Sequence, residues 1–114
     1  MARVEGGRVV IVVPLKPGVR DSIRMLLEEG PPFDPENVGL ERHEVFLTDH
    51  EAVFIFEAPD PSILDRLARS PKLRWAAVAW RDFLAGPTRL AEVAYSWNRT
   101  AGGNEDDPST RLSR

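Results

Sequence analysis

Two segments of this chain are apolar at consecutive positions: Val9-Val10-Ile11-Val12-Val13 and Val53-Phe54-Ile55-Phe56. Both are rich in β-branched and aromatic residues, so both read as strands. Successive side chains of a strand point to opposite faces of its sheet, and these two strands therefore lay bulky apolar groups on both faces. Such a sheet has no face suited to water and needs cover twice. Cover is scarce in a chain of 114 residues. A helix is about 10 Å wide and strands lie about 4.8 Å apart, so two helices roughly cover one face of four strands.

The remaining punctuation divides the chain into elements. Residues 8–15 form the first strand. Pro17 presets a helix start, and Val19, Ile23, Leu26 and Leu27 recur at helical spacing before Gly30 stops the run. Residues 31–39 hold three prolines and a glycine and form a shaped loop, with one helical turn capped by Asp34 ahead of Pro35 and with Phe33 and Val38 as its anchors. Residues 40–48 and 52–58 are extended runs that pair as a hairpin. Its turn lacks glycine. A two-residue turn at Asp49-His50 and a three-residue loop including Glu51 both fit, since Asp and His tolerate left-handed backbone better than most residues.

Asp60-Pro61 is an N-cap followed by proline at the first helical position, and Ile63, Leu64 and Leu67 give that helix its apolar stripe. Ser70-Pro71 ends it and opens another, a helix over 72–85 on which Leu73, Ala76, Ala77, Trp80, Phe83 and Leu84 follow the helical period up to Gly86-Pro87. The last extended run, 89–97, carries Leu90, Val93, Tyr95 and Trp97. Residues 98–114 then lose almost all apolar content and are expected to be a disordered tail, leaving residues 1–97 as a single domain.

The order strand, helix, strand, strand, helix, helix, strand is the split βαβ arrangement of a ferredoxin-like α+β domain, with a four-stranded antiparallel sheet and one extra helix before the final strand. Two helices cover its first face. For the second, the expectation is a second copy of the chain, because a contiguous exposed apolar sheet exceeds what monomers show. The competing arrangement folds the helix over 72–85 across that face and seals a monomer.

Composition removes several function classes. With no cysteine there is no disulfide framework, thiolate metal site or cysteine nucleophile. A net charge of -3 and a pI near 5.4 lack the basic excess of a nucleic-acid binder, although thirteen of the fifteen basic residues are arginines, whose planar fork suits phosphate or carboxylate. The longest apolar run is far too short to span a membrane, and the first residues do not resemble a signal peptide. A cytoplasmic protein is expected. No phosphate-binding loop, GxGxxG or GxSxG pattern is present.

The strongest polar constellation is Glu41-Arg42-His43-Glu44 at the start of the second strand, with Glu57 at the matching end of the third. A two-residue turn sets His43 opposite Phe56 and groups it with Val45, Leu47, Ala52 and Phe54. A three-residue loop groups it instead with Val53, Ile55 and Glu57, and puts Glu44 with Phe46, Phe54 and Phe56. His43 or Glu44 is the candidate general base, because imidazole changes charge near neutrality. His43 is also the candidate haem or metal ligand, but the sequence has no HxH, HxxxH or HExxH spacing, so no metal is expected. Arg42 and Glu57 read as a strand-end ion pair and His50 as a solvated turn residue. Phe46, Phe54, Trp75, Tyr95 and Trp97 are the candidate ligand-lining residues. Trp80 follows the core stripe of its helix, whereas Trp75 falls off it and Trp97 precedes the tail, positions that fit a dimer seam or a ligand site.

In the layout of its strands, residues 9–18, 42–57 and 86–97, the chain resembles the dimeric α+β barrel superfamily, which includes antibiotic-biosynthesis-monooxygenase-like proteins, chlorite-dismutase-like haem proteins and small stress-responsive proteins. The resemblance covers roughly residues 8–97 and is one of layout. It implies a homodimer whose sheets face each other and enclose a pocket for a small hydrophobic molecule, aromatic or polyketide-like. A cofactor-independent oxygenase or isomerase is the activity it implies, with a non-catalytic ligand-binding or stress-response dimer and a haem protein as the alternatives.

Overall fold

The structure, a computed structural model, describes residues 7–97 and residue 99; the tail expected beyond Trp97 lies, apart from Arg99, outside them. Nine elements follow one another: β1 (Arg8–Pro14), α1 (Arg20–Glu28), α2 (Pro35–Val38), β2 (Arg42–Leu47), β3 (Glu51–Glu57), α3 (Pro61–Ala68), α4 (Pro71–Trp80), a 3-10 turn (Arg81–Phe83) and β4 (Arg89–Ala91). The four strands form one antiparallel sheet in the order β2-β3-β1-β4, the ferredoxin-like arrangement.

Local chemistry explains most boundaries. Asp34, Asp60 and Ser70 each accept a hydrogen bond from the backbone N–H two residues on, at 3.1, 2.9 and 3.2 Å, and each precedes a proline at the first helical position. The Ser62 N–H holds the Asp60 carboxyl below its ordinary pKa. Three boundaries differ from the sequence expectation by more than two residues. Pro17 does not begin α1: Gly18 follows it at φ +81, the pair makes a turn, and the helix starts at Arg20. α4 tightens after Trp80 because the chain there is tied to the end of β1, where Lys16 N–H donates to the Phe83 carbonyl at 2.9 Å and Ala85 N–H to the Pro14 carbonyl at 2.9 Å. β4 stops at Ala91 although its apolar alternation runs on to Trp97. With Val10 opposite Ala91, only Val9 and Arg8 of β1 remain, and residues 94–97 overrun the strand they would pair with.

All four helices lie against one face of the sheet. One buried cluster centres on Val13, Leu15, Ile23 and Ala52, with Leu26, Leu27, Trp80 and Phe83 packed around it; the other centres on Phe33, Phe56, Leu64 and Leu67, with Val38, Ile63 and Leu73. α4 supplies Trp80 and Leu73 to these clusters, so it covers the same face as α1 and α3 and does not cross to the other. On that second face Val10, Val12, Val53 and Ile55 are half-buried and belong to neither cluster, and Phe46 is 52% exposed. Ion pairs rim them: Arg8–Glu57 at 3.3 Å, Arg42–Glu57 at 3.7 Å and Arg89–Glu51 at 3.7 Å. Among the described residues no helix is long and apolar enough to cross a membrane.

Gly7 marks where β1 enters beside the end of β3. It sits at φ +78, and a Cβ there would lie 2.3 Å from the Ala58 carbonyl oxygen. Gly18 has the same sign of φ but open space around it. Gly7→Ala is therefore expected to reduce unfolding free energy by about 2–3 kcal/mol, and Gly18→Ala by only about 1 kcal/mol, in urea titrations of the two variants. Equal losses would show that the contact with Ala58 carries nothing.

Candidate functional site

The position of His43 follows from a turn. The register pairs Arg42 with Glu57, His43 with Phe56 and Leu47 with Ala52, which leaves Asp49-His50 as a two-residue connection. No non-glycine residue among those described has positive φ, so the turn does not use the left-handed backbone available to Asp and His. Thr48 supplies what glycine would have. Its Oγ1 accepts from the His50 and Glu51 N–H groups at 3.2 and 2.9 Å, and its own N–H donates to the Glu51 carbonyl at 2.9 Å. Arg20 reaches over from α1 to pair with Asp49 at 2.6 Å.

This register puts His43, Val45 and Leu47 of β2 on the helix-covered face with Ala52, Phe54 and Phe56. His43 is half-buried there, stacked on Phe56 at 4.4 Å and 16°, with Phe33 at 5.6 Å. The rings continue through Phe54, 6.4 Å from Phe56, to the edge-on contact of Phe54 with Trp80 at 5.2 Å. His43 Nδ1 lies 3.2 Å from the Ile55 carbonyl oxygen. A carbonyl only accepts, so Nδ1 carries the proton of the neutral ring and Nε2 keeps the lone pair.

A cleft of about 480 Å³ opens alongside β2, lined by Arg20, Arg24, Leu27 and Glu28 of α1 and by Val45, Phe46 and Leu47 of β2. His43 does not line it. His43 is the next side chain after Val45 on the same face of the strand, about 7 Å away. Because residues of both faces of β2 line the cleft, it runs against the strand's outer edge.

The other candidates disperse. Glu44 lies on the second face opposite Ile55, paired with Arg42 at 3.4 Å, and Phe46 lies there opposite Val53. Phe54 is near His43, but as part of the core. Trp75 is 73% exposed on the outer side of α4, beside a shallow depression shared with Pro71, Arg74 and Val78. Tyr95, 81% exposed, and Trp97 extend beyond β4 at the sheet edge opposite β2. Arg42–Glu57 is the strand-end ion pair expected, with Arg8 as a third member. Sequence reading missed the α1 wall of the cleft. The signal was present as Arg20, Arg24 and Glu28 at i, i+4, i+8 beside the apolar stripe.

Phe33 and Phe56 pack against the His43 ring, and the open cleft is lined by Val45 and Leu47 rather than by His43. Among the described residues no group of three or more His, Asp or Glu is arranged to hold a metal ion.

Comparison with solved structures identifies the class of fold. The chain is similar to tetracenomycin F2 cyclase from Streptomyces glaucescens, a type-II polyketide cyclase, with 23% identity and a TM-score of 0.59 over 80% of this chain and 96% of that one. It is similar to SnoaB, a cofactor-independent oxygenase from Streptomyces nogalater, with 18% identity and a TM-score of 0.59 over 79% and 96%. Rv0793 from Mycobacterium tuberculosis gives 18% and 0.60 over 80% and 95%. The fold is thus the ferredoxin-like α+β fold of the antibiotic-biosynthesis-monooxygenase-like proteins. No family model matches the chain. No curated protein matches it by sequence.

The tautomer assignment is directly measurable. Long-range ¹H–¹⁵N correlation spectra above neutral pH are expected to show the proton of neutral His43 on Nδ1; a proton on Nε2 would mean that the Ile55 bond is absent in solution and that the ring nitrogen facing away from it is no base.

Proposed function

We propose that this chain binds a small, hydrophobic, aromatic molecule along β2 and turns it over by proton abstraction, as a cofactor-independent oxygenase or isomerase. The observation that carries this reading is the fixed imidazole of His43: half-buried, held by the Ile55 carbonyl through Nδ1, and left with an Nε2 lone pair. Such a nitrogen accepts a proton from a phenol or an activated C–H. The Ile55 carbonyl then holds the imidazolium through Nδ1–H, and the Phe56 face stacked on it favours the positive ring. The resulting carbanion, or the phenolate through its carbon, is either reprotonated at another atom or donates its electrons to dioxygen to form a C–O bond; the peroxide anion takes the proton back from the imidazolium, and the hydroperoxide loses water to leave a quinone, the substrate being the reductant. Supporting the reading, structures of the same fold include one described as a polyketide cyclase and one as a cofactor-independent oxygenase.

The working unit in this reading is a homodimer closed over the second face of the sheet. Val10, Val12, Val53, Ile55 and the exposed Phe46 supply its apolar centre, and the ion pairs of Arg8, Arg42 and Arg89 its rim. Residues 92–97 are exposed throughout and carry Val93, Tyr95 and Trp97 at alternate positions, apolar side chains without cover in their own protomer. Tyr95 and Trp97 then contact substrate only across the dimer, since in their own protomer they lie at the edge away from His43.

One observation favours a second reading, a ligand-binding dimer without chemistry: the cleft is walled by Val45 and Leu47 and reaches His43 only if a ligand extends along the strand. The two are separated by offering polycyclic phenols to the wild type and to His43→Gln, following oxygen uptake and product absorbance alongside binding. Loss of turnover by 10²-fold or more, in a variant that keeps its fold and still binds, is expected for a general base. Unchanged turnover removes His43 from the chemistry, and binding without any turnover in the wild type selects the second reading.

A further inference from the structure

We propose that the cleft between α1 and β2 selects ligands bearing an acidic group, carboxylate, sulfonate or phenolate, on an apolar aromatic body, with Arg24 as the residue that recognises the charge. This deepens the reading above, on which it rests for placing the ligand along β2, by naming the substrate class.

The cleft has two unlike halves. Its floor is apolar, made by Val45 and Leu47 of β2 and Leu27 of α1, with the exposed ring of Phe46 at its lip. Its rim on α1 is ionic, with Arg20, Arg24 and Glu28 one turn apart along the helix. The two arginines are not equivalent. Arg20 is committed: its Nη1 bonds Asp49 at 2.6 Å, and its Nε is buried without a hydrogen-bond partner. Arg24 is exposed and, among the described residues, lies within ion-pair distance of no carboxylate, its helical neighbour Glu28 included. Among the described residues its guanidinium thus has no carboxylate partner, and the side chain lines the cleft. Planar, bidentate recognition of an oxyanion is the chemistry that side chain performs best.

Backbone groups add to the polar wall. Thr48 bonds Glu51 through the backbone, and alternation in an antiparallel pair then turns the N–H and C=O of the even residues of β2 toward β3 and those of His43, Val45 and Leu47 outward. Val45 and Leu47 thus offer donors and acceptors at the edge the cleft runs along. The charge is at the α1 rim and His43 lies farther along β2, so a ligand anchored through its acid at Arg24 points its other end toward the imidazole.

The test uses two fluorescent probes that share an anilinonaphthalene body and differ by one sulfonate: 1-anilinonaphthalene-8-sulfonate and neutral N-phenyl-1-naphthylamine. Dissociation constants are read from the backbone amide signals of Val45 and Leu47 in ¹H–¹⁵N spectra of the full chain, so that binding elsewhere on the molecule does not count. The sulfonate is expected to bind about tenfold or more tightly than the neutral probe, in line with a charge-assisted hydrogen bond to guanidinium. Arg24→Gln, an exposed substitution, should reduce it to the neutral level and leave the neutral probe unchanged; Arg24→Lys should restore part of the difference. Equal binding of the two probes to the wild type, or a preference that survives Arg24→Gln, overturns the assignment while leaving an apolar site in place. Absence of any response at Val45 and Leu47 overturns the site itself, and a response that follows protein rather than probe concentration gives the edge to another chain and overturns it too.

Discussion

The structure depends on an imbalance between the two faces of one sheet. β1 and β3 carry large apolar side chains on both, because their sequences are apolar without alternation, and they are the two central strands. Every helix lies on one side, where Ile23 and Ala52 are completely excluded from solvent. The other side presents Val10, Val12, Val53, Ile55 and Phe46, framed by ion pairs that use arginine from β1, β2 and β4. Exposed pairs of that kind contribute little to stability. Their arrangement around an apolar centre supports the proposed dimer, since interfaces set a polar rim around an apolar core. The extended residues after β4 repeat the imbalance at the sheet's edge, with Tyr95 and Trp97 alternating on a segment that has outrun β1.

The same sheet sets the chemistry available to His43. One residue of slip in the hairpin moves it from a stack on Phe56 to the opposite face, among Ile55, Val53 and Glu57. Thr48 prevents the slip by closing the turn with its hydroxyl, and the Asp49–Arg20 pair ties that turn to α1. The register that this turn closes sets His43 opposite Phe56, with its Nδ1 beside the Ile55 carbonyl. The cleft is a product of the same register, since it brings Val45 and Leu47 under Leu27 and Arg24.

Much of the fold was legible because its signals are local. Asp34-Pro35, Asp60-Pro61 and Ser70-Pro71 each pair a capping side chain with a proline, and each opens a helix where expected. The strand order follows from element order. Where reading failed, non-local contacts had overridden local pattern. Phe83 and Leu84 keep helical spacing, yet hydrogen bonds to residues 14 and 16 pull them out of the helix. Val93, Tyr95 and Trp97 alternate as a strand, yet pairing with β1 stops at Ala91 and only Val9 and Arg8 of β1 lie beyond it. For the site, periodicity left two registers open, and the two-residue turn that the structure shows, bonded through the Thr48 hydroxyl, was not marked by any glycine. The grouping of Phe46, Trp75, Tyr95 and Trp97 as one lining did not follow from sequence distance: within a protomer they lie on a sheet face, on the outside of a helix and beyond the opposite edge.

A shortage of cover on the second face is thus the premise from which the proposed dimer, and any role for Tyr95 and Trp97 at a site, descends. Sedimentation equilibrium of the full chain across micromolar concentrations measures it most directly. The expected result is a species of twice the 12.8 kDa chain mass, which Val53→Lys, placing a charge at the centre of that face, converts to single chains that remain folded. A lone 12.8 kDa species in the wild type at every concentration, with the side chains of Val10, Val12 and Ile55 protected from solvent, would contradict it.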